Sequence, residues 1–270
     1  MKIIPASDAS LLVILGDTIA PEIQERVLTL FHALKAKRDH RILNLNPGYT
    51  SLLINFDPLA VTHEEVAGLV KWFELDDKRS SEPSSPIVEI PVCYEAEFGP
   101  DLPDVASHAN LSIDEVIRLH SSATYLVCFL GFTAGFAYLG GMPQALQMAR
   151  LPTPRRAVAA GSVGIAGGQT GIYPTETPGG WRLIGRTPVL MFDPERAQPT
   201  RVLPGDQLRF SPVDRLRLGL VRYESQKRGS KDPPLQRQGQ GPYRINKPHP
   251  YRPQAACAAL GFALGNWQPN

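Results

Sequence analysis

Lysine vanishes from the middle of this chain: across its 270 residues, none occurs between Lys78 and Lys227. That gap excludes a Walker-type phosphate loop, which needs a lysine after its last glycine, and with it a Schiff-base lysine or a Ser–Lys amidase dyad. The dinucleotide pattern GxGxxG is missing as well. Cysteine is scarce, with only Cys93, Cys128 and Cys257, far apart and without a CxxC pair. Neither a zinc knuckle nor a disulfide framework is implied, and buried free thiols are the plain reading. No two histidines are spaced like ligands on one helix, so no metal site is expected. No apolar run approaches the roughly 18–20 residues of a membrane span. The N-terminal MKIIPASDASLLVILGD lacks a signal-peptide plan, so a cytoplasmic protein without membrane contact is expected.

The net charge of +2 conceals a division. Residues 226–270 hold seven Lys and Arg against one Asp, which leaves the rest of the chain at −4. A mildly acidic body offers no basic face to nucleic acid.

What the sequence has in abundance is glycine, unevenly spread. Residues 131–185 hold twelve of the 23 glycines, and GSVGIAGGQTGIYPTETPGGW (161–181) holds seven. These alternate with polar and aromatic groups: Gln169, Thr170, Tyr173, Thr175, Glu176, Trp181, Arg182, Arg186 and Thr187. Upstream, GFTAGFAYLGG presents Phe132, Phe136 and Tyr138. Glycines serve as turns in any β domain. They also let a ligand approach the backbone and turn N–H groups toward an anion, so a site-lining role is the sharper reading.

Periodicity divides the chain. Residues 2–15 read as strand material around a polar turn. A helix follows in IAPEIQERVLTLFHALKAK, and then RILNLNP and TSLLINFD form a hairpin over Pro47-Gly48-Tyr49. THEEVAGLVKWFELDD opens on Thr62 with Glu65 three residues on, a capping-box pattern. Residues 1–78 thus form a small α+β domain. RSSEPSSP (79–86) reads as a linker. Beyond it comes strand IVEIPVCY and a short helix, LSIDEVIRLHSS, with Ser112 as cap and Glu115 at its third position. Short apolar runs between Gly/Pro turns follow: TYLVCFLGF, VGIAGG, WRLIGRT, VLMFD, TRVLPGDQLRFSPV and LRLGLVRYE. That rhythm predicts an all-β barrel or sandwich over 87–225. Residues 226–270, rich in proline and glutamine, are expected to hold little fixed structure beyond a short C-terminal helix. His120 ends its helix, where it interacts with the dipole or serves as a general acid or base beside the glycine-rich loops.

Four stretches in this order, PVCYEAEFGPDLPDVA, GFTAGFAYLGG, PRRAVAAGSVGIAGGQTGIYP and TPGGWRLIGRTP, resemble the B subunit of bacterial ATP-dependent 5-oxoprolinase. The same family includes a sporulation kinase inhibitor and carboxyltransferase-like domains of allophanate hydrolase and urea carboxylase. The resemblance runs from about residue 5 to residue 224. It implies an α+β N-terminal domain followed by an all-β cyclophilin-like barrel. It also implies the A and C subunits of 5-oxoprolinase as partners, with ATP as cofactor, in opening 5-oxoproline to glutamate. The related alternatives are a histidine-kinase inhibitor and a carboxyltransferase subunit of the allophanate or urea carboxylase type. Carried over by motif, the catalytic residues are His120, Gln169, Tyr173 and Arg186. The substrate-binding residues are Phe132, Phe136, Thr175, Gly179, Gly180, Trp181 and Thr187, with Pro178 beside them. The chain departs from the family pattern at Glu95-Ala96, where the family has Gly-Gly, and at Ala134 and Ala159, where it has prolines.

Overall fold

The apolar residues gather into three buried clusters, one in the N-terminal part, one inside the barrel and a smaller one on the barrel's outer face. The computed structural model describes residues 1–75 and 87–215. The expected linker at 79–86, the strand LRLGLVRYE and the tail at 226–270, with Cys257, lie wholly or almost wholly outside them.

The first cluster joins β1 (Lys2–Ser7), β2 (Ser10–Ile14), β3 (Ile42–Pro47) and β4 (Ser51–Phe56) to α1 (Pro21–Lys37) and α2 (His63–Leu75). The four strands form one antiparallel sheet in the order β1-β2-β4-β3. Alternation in β4 sends Leu52, Ile54 and Phe56 inward, where they meet Val27, Phe31 and Leu34 of α1 and Val66 and Val70 of α2. The capping box that opens α2 is formed: Thr62 N–H donates to Glu65 Oε2 at 2.9 Å, and Glu65 N–H to Thr62 Oγ1 at 3.3 Å.

The second cluster fills a barrel of seven strands. These are β5 (Val88–Val92), β6 (Tyr125–Leu130), β7 (Ala137–Gly140), β9 (Ser162–Ala166), β10 (Gln169–Ile172), β12 (Arg182–Arg186) and β13 (Gln207–Pro212). Their order is β12-β9-β10-β7-β6-β13-β5, with β13 and β5 parallel. Cys93, one residue past β5, and Arg186 at the end of β12 exchange two backbone hydrogen bonds of 2.9 Å. That bridge joins the two edge strands and closes the sheet on itself, leaving no long unpaired edge there. A two-stranded flap, β8 (Arg155–Val158) with β11 (Thr177–Gly179), lies outside the barrel.

The barrel domain is less purely β than the sequence reading has it. The expected helix is present as α4 (Ile113–Ser122), with its Ser112–Glu115 capping box formed. A further helix, α3 (Leu102–Ala109), stands in DLPDVASHA, where no helix is predicted. Its Leu102, Val105 and Ala106 enter the barrel core. The eight-residue segment is too short for a periodicity to stand out, and only the Pro at its start marks it. VLMFD, expected as a strand, contributes only an isolated bridge, Phe192 to Thr200.

Three contacts seat the first domain on the barrel. Gln24 Nε2–H donates to the Cys128 carbonyl at 3.3 Å, His32 occupies the space a Cβ on Gly205 would need, and Tyr49 sets its ring edge-on to Phe129, 4.7 Å between centroids.

Candidate functional site

The glycine-rich stretch folds as a hairpin. β9 runs into Gly167, whose φ of 55° makes the turn, and β10 returns. On β10, Thr170 and Ile172 face the barrel core, so Gln169 and Gly171 face outward. Gly171 stands opposite Tyr138 on one side and Gly164 on the other, giving the outer face a floor without side chains. A Cβ on Gly171 would come within 3.1 Å of both Phe136 Cζ and Trp181 Cζ3, and one on Gly164 within 3.1 Å of Trp181 Cβ. The glycines are there because aromatic rings lie directly on the backbone.

Those rings form a continuous edge-to-face series on the outer face. Trp181 lies 5.4 Å from Phe136 and 5.8 Å from Tyr138, Phe136 lies 5.2 Å from Tyr173, and Tyr138 stacks on Phe129 at 4.4 Å. Phe129 reaches this face because β6 bulges at Cys128: Val127 pairs with Leu139, but Phe129 pairs with Tyr138. The extra residue turns Phe129 outward. Phe136, Tyr173 and Trp181 are buried, Gln169 and Tyr138 half-buried, and Phe132 is 59% exposed. Burial pushes the Tyr173 phenol up, offset in part by a backbone hydrogen bond from Trp181.

Two polar residues at this face escape the sequence reading. Tyr49 comes from the β3–β4 turn of the first domain, and its hydroxyl is buried without a hydrogen-bond partner among the described residues. Arg150 is exposed, with its guanidinium carbon 5.9 Å from the Trp181 ring centre. It is carried by an arm that crosses the hairpin tip, through Gly167 N–H to the Met148 carbonyl at 2.8 Å and Leu151 N–H to the Gly180 carbonyl at 2.7 Å. Neither residue belongs to a motif, and proximity across domains leaves no mark in sequence.

His120 lies on the other side of the sheet. It is fully buried, stacked on Phe210 at 4.5 Å. Its Nδ1 lies 2.8 Å from the Tyr94 hydroxyl and its Nε2 3.0 Å from Thr170 Oγ1, which itself donates to the Gly164 carbonyl. With the Thr170 hydrogen committed to that carbonyl, the consistent arrangement has Nε2–H donating to Thr170 and Tyr94 O–H donating to Nδ1. Burial pulls the imidazole pKa down to about 3 and pushes the Tyr94 phenol well up, so both are neutral. His120, expected as a proton mover, is enclosed.

Arg186 and Thr187 line a third place, a cleft of about 410 Å³ beside the closing bridge, with Ala160, Gly161, Pro174 and Leu190 among its walls. Arg186 Nε–H donates to the Ala160 carbonyl at 2.9 Å, and Arg186 has no carboxylate partner among the described residues. Thr187 is buried and its Oγ1 accepts from Val189 N–H at 3.2 Å. Arg215 pairs with Glu97 at 2.9 Å at the rim.

The expected site residues therefore fall into three groups. The outer face gathers Gln169, Phe136, Tyr173 and Trp181, with Phe132 at its margin, 5.6 Å from Phe136. Gly179 lies against the Tyr173 hydroxyl, Gly180 lies beside Pro154, and Thr175 and Pro178 are exposed on the flap connection. At the departures from the family pattern the chain keeps hydrogen-bonded or exposed turns. Glu95 Oε1 accepts from Arg215 N–H at 3.1 Å, the Ala159 carbonyl accepts from Ser162 N–H at 3.2 Å, and Ala134 is exposed in its turn. Cys93 and Cys128 are buried free thiols, and burial pushes the Cys128 thiol up to about 11. Among the described residues no group of acidic, His or Cys side chains is arranged to hold a metal ion, and no helix is long and apolar enough to cross a membrane.

The family model for the carboxyltransferase domain, subdomain C and D, matches residues 1–202. The B subunit of Escherichia coli 5-oxoprolinase is 46% identical over 167 residues, covering 62% of this chain and 76% of the relative. Its namesake in Bacillus subtilis is 39% identical over 217 residues, covering 75% and 89%. Among solved structures, TTHA0988 superposes with a TM-score of 0.69 at 36% identity over 76% of this chain, which spans 40% of that longer one. The Kluyveromyces lactis urea amidolyase shares the fold, with a TM-score of 0.66 at 22% identity over 83% of this chain and 15% of its own length. With the matched residues spanning the first domain and the barrel through the glycine-floored face and the Arg186 cleft, the chain belongs to the carboxyltransferase subdomain C and D family, within its group of 5-oxoprolinase B subunits.

Proposed function

We propose that this chain is one subunit of an ATP-dependent 5-oxoprolinase that opens 5-oxo-L-proline to L-glutamate, working in the cytoplasm with the A and C subunits of that enzyme. The observation that carries this reading is the glycine-floored face itself. Gln169 stands half-buried on the outer face of β10, two residues before the Gly171 on which Trp181 packs, within the stretch matched to the family. A side-chain amide on a flat apolar floor suits a flat ring amide, because it supplies one donor and one acceptor in the plane of the ring.

Amide resonance makes this ring slow to open in water. ATP bound in the complex would supply a phosphoryl group to the amide oxygen with release of ADP, so that water could add to the ring carbon, the C–N bond break and phosphate leave. The glycine hairpin runs from strand to strand with no helix after it and no lysine near, so it does not fit a phosphate loop. No ATP contact is assigned to this chain. Gln169 holds the ring amide, and Tyr173, buried against Phe136, supports the rings of the face from beneath. Arg186, in its separate cleft beside the barrel closure, offers a positive charge to an anionic group there. His120 acts as a positioning residue: through Thr170 it fixes β10 from behind, and so the direction in which Gln169 projects.

The test is co-expression with the A and C subunits, followed by assay of ATP hydrolysis with 5-oxoproline and of ammonia release from allophanate. ATP hydrolysis that depends on 5-oxoproline supports the reading. Ammonia release from allophanate alone transfers the chain to the carboxyltransferase side of the family, which the urea amidolyase of Saccharomyces cerevisiae, 27% identical over 237 residues, represents.

A further inference from the structure

We propose that Arg150, with the Tyr49 hydroxyl and the Gln169 amide, forms the seat for the carboxylate end of a small planar amide-bearing acid, where the first domain meets the outer face of the barrel. The identity of that acid as 5-oxoproline rests on the function proposed above; the seat rests on the following geometry.

Arg150 is exposed and makes no hydrogen bond or ion pair among the described residues, yet it lies over the Trp181 ring at 5.9 Å. Stacking on an indole restrains a guanidinium without using its N–H groups, which stay available to a bidentate acceptor such as a carboxylate. The Tyr49 hydroxyl is buried with nothing to donate to among the described residues. A buried hydroxyl left unpaired is destabilising, so an arriving acceptor gains where water cannot compete. The free charge nearest the rings is positive, since Arg155 is already paired with Asp101 at 2.7 Å and Arg150 is not paired among the described residues. Arg150 acts on the phenols of Tyr49, Tyr138 and Tyr173, joined at Tyr173 by Arg155, and no carboxylate acts on any of the three. Gln169 projects outward from β10 at the hairpin tip, and its amide is unpaired among the described residues. The seat is thus rich in donors, with the Gln169 amide on its floor of Trp181 and Phe136 rings packed on Gly171 and the Gln147 amide at the hairpin tip beside it. An anion with an in-plane amide satisfies all of these groups at once. Arg186 serves a different need, since its cleft lies beside the barrel closure and its Nε is already committed to the Ala160 carbonyl.

The experiment is calorimetric titration of the full-length chain, and of its co-expressed complex, with 5-oxo-L-proline, 5-oxoprolinamide, and two further planar carboxylates, orotate and picolinate. Wild type is compared with Arg150→Met and Arg150→Lys. The seat predicts that wild type binds the acid over its neutral amide. Arg150→Met should weaken the acid by at least about tenfold while leaving the amide unchanged, and Arg150→Lys should recover part of the loss. An Arg150→Met variant that folds normally and binds the acid like wild type overturns the seat, as does equal binding of acid and amide by wild type. Arg150-dependent binding of orotate without 5-oxoproline keeps the seat and rejects the 5-oxoprolinase reading, whereas equal binding of picolinate, which has no amide, removes the Gln169 amide from the seat. Absence of Arg150-dependent binding across the panel rejects the seat, whatever the ATPase assay shows.

Discussion

His120 Nε2 stands 3.0 Å from Thr170 Oγ1, a hydrogen bond that ties the end of α4 to the strand whose opposite face carries Gln169. The partners on both ring nitrogens are neutral, so protonation breaks the chain Tyr94–His120–Thr170–Gly164. A histidine whose folded pKa is depressed contributes stability that is full above its unfolded pKa and is lost as pH falls. Here the window opens at 6.5 and extends down to about 3. Within it the slope is about 1.4 kcal/mol per pH unit. Chemical denaturation between pH 7 and 4 should show this slope in wild type and a flatter one in His120→Gln. Parallel slopes in the two proteins would mean that His120 is not the acid-sensitive group.

Gly171 and Gly168 lie three residues apart and predict opposite outcomes. A Cβ at Gly171 meets the Ala137 carbonyl at 3.0 Å and two rings at 3.1 Å, so either strand β7 or the Phe136–Trp181 packing has to shift. Overpacking of this kind costs about 1–3 kcal/mol. At Gly168 the nearest atom is the Gln147 amide nitrogen at 3.3 Å, the end of a flexible side chain. Gly171→Ala should lower Tm by roughly 2–4 °C per kcal/mol lost and reduce activity, whereas Gly168→Ala should melt close to wild type. Thermal melts of the two variants side by side check this.

Phe132 sits at φ 65°, and Thr133 N–H donates to the Gly131 carbonyl at 2.7 Å, so a large aromatic occupies the centre of a left-handed γ-turn. Such a conformation costs a non-glycine residue about 1–3 kcal/mol. Phe132→Gly releases that strain and adds roughly 0.5–1 kcal/mol of backbone entropy loss. Stability should hold or rise while activity of the assembled complex falls, because the exposed ring is lost from the margin of the face. Unchanged activity would remove Phe132 from the site.

Gln169 and Tyr173 need different substitutions. Gln169 is half-buried with a free amide, so Gln169→Ala should fold normally and abolish 5-oxoproline-dependent ATP hydrolysis. Tyr173 is 1% exposed, packed on Phe136 beneath Gly179. Its replacement by alanine opens a cavity and costs about 3–5 kcal/mol. Tyr173→Phe keeps the packing but also takes the acceptor from the Trp181 backbone N–H, so it should lower stability by about 1–3 kcal/mol and turnover only through the position of Trp181. Wild-type turnover in Gln169→Ala would sink the amide-holding role.

By itself the sequence determined what depends on neighbours along the chain. The capping residues Thr62 and Ser112 announce α2 and α4, and Pro47-Gly48-Tyr49 announces the β3–β4 hairpin, because caps and turns are local hydrogen-bond and dihedral events. The motif order also sufficed for the family. Tertiary structure decided which residues meet. The bulge at Cys128, set by pairing with β7, turns Phe129 outward to stack on Tyr138 and meet Tyr49 from another domain. Alternation along β10, fixed only once its register is chosen, puts Thr170 with His120 inside and Gln169 outside, so two residues adjacent in sequence serve opposite faces of the sheet. Arg150 over Trp181 is likewise a product of the arm's backbone pairing to Gly167 and Gly180. None of these partnerships has a sequence period, because contacts between strands are chosen by burial and register across the whole fold rather than by spacing along the chain.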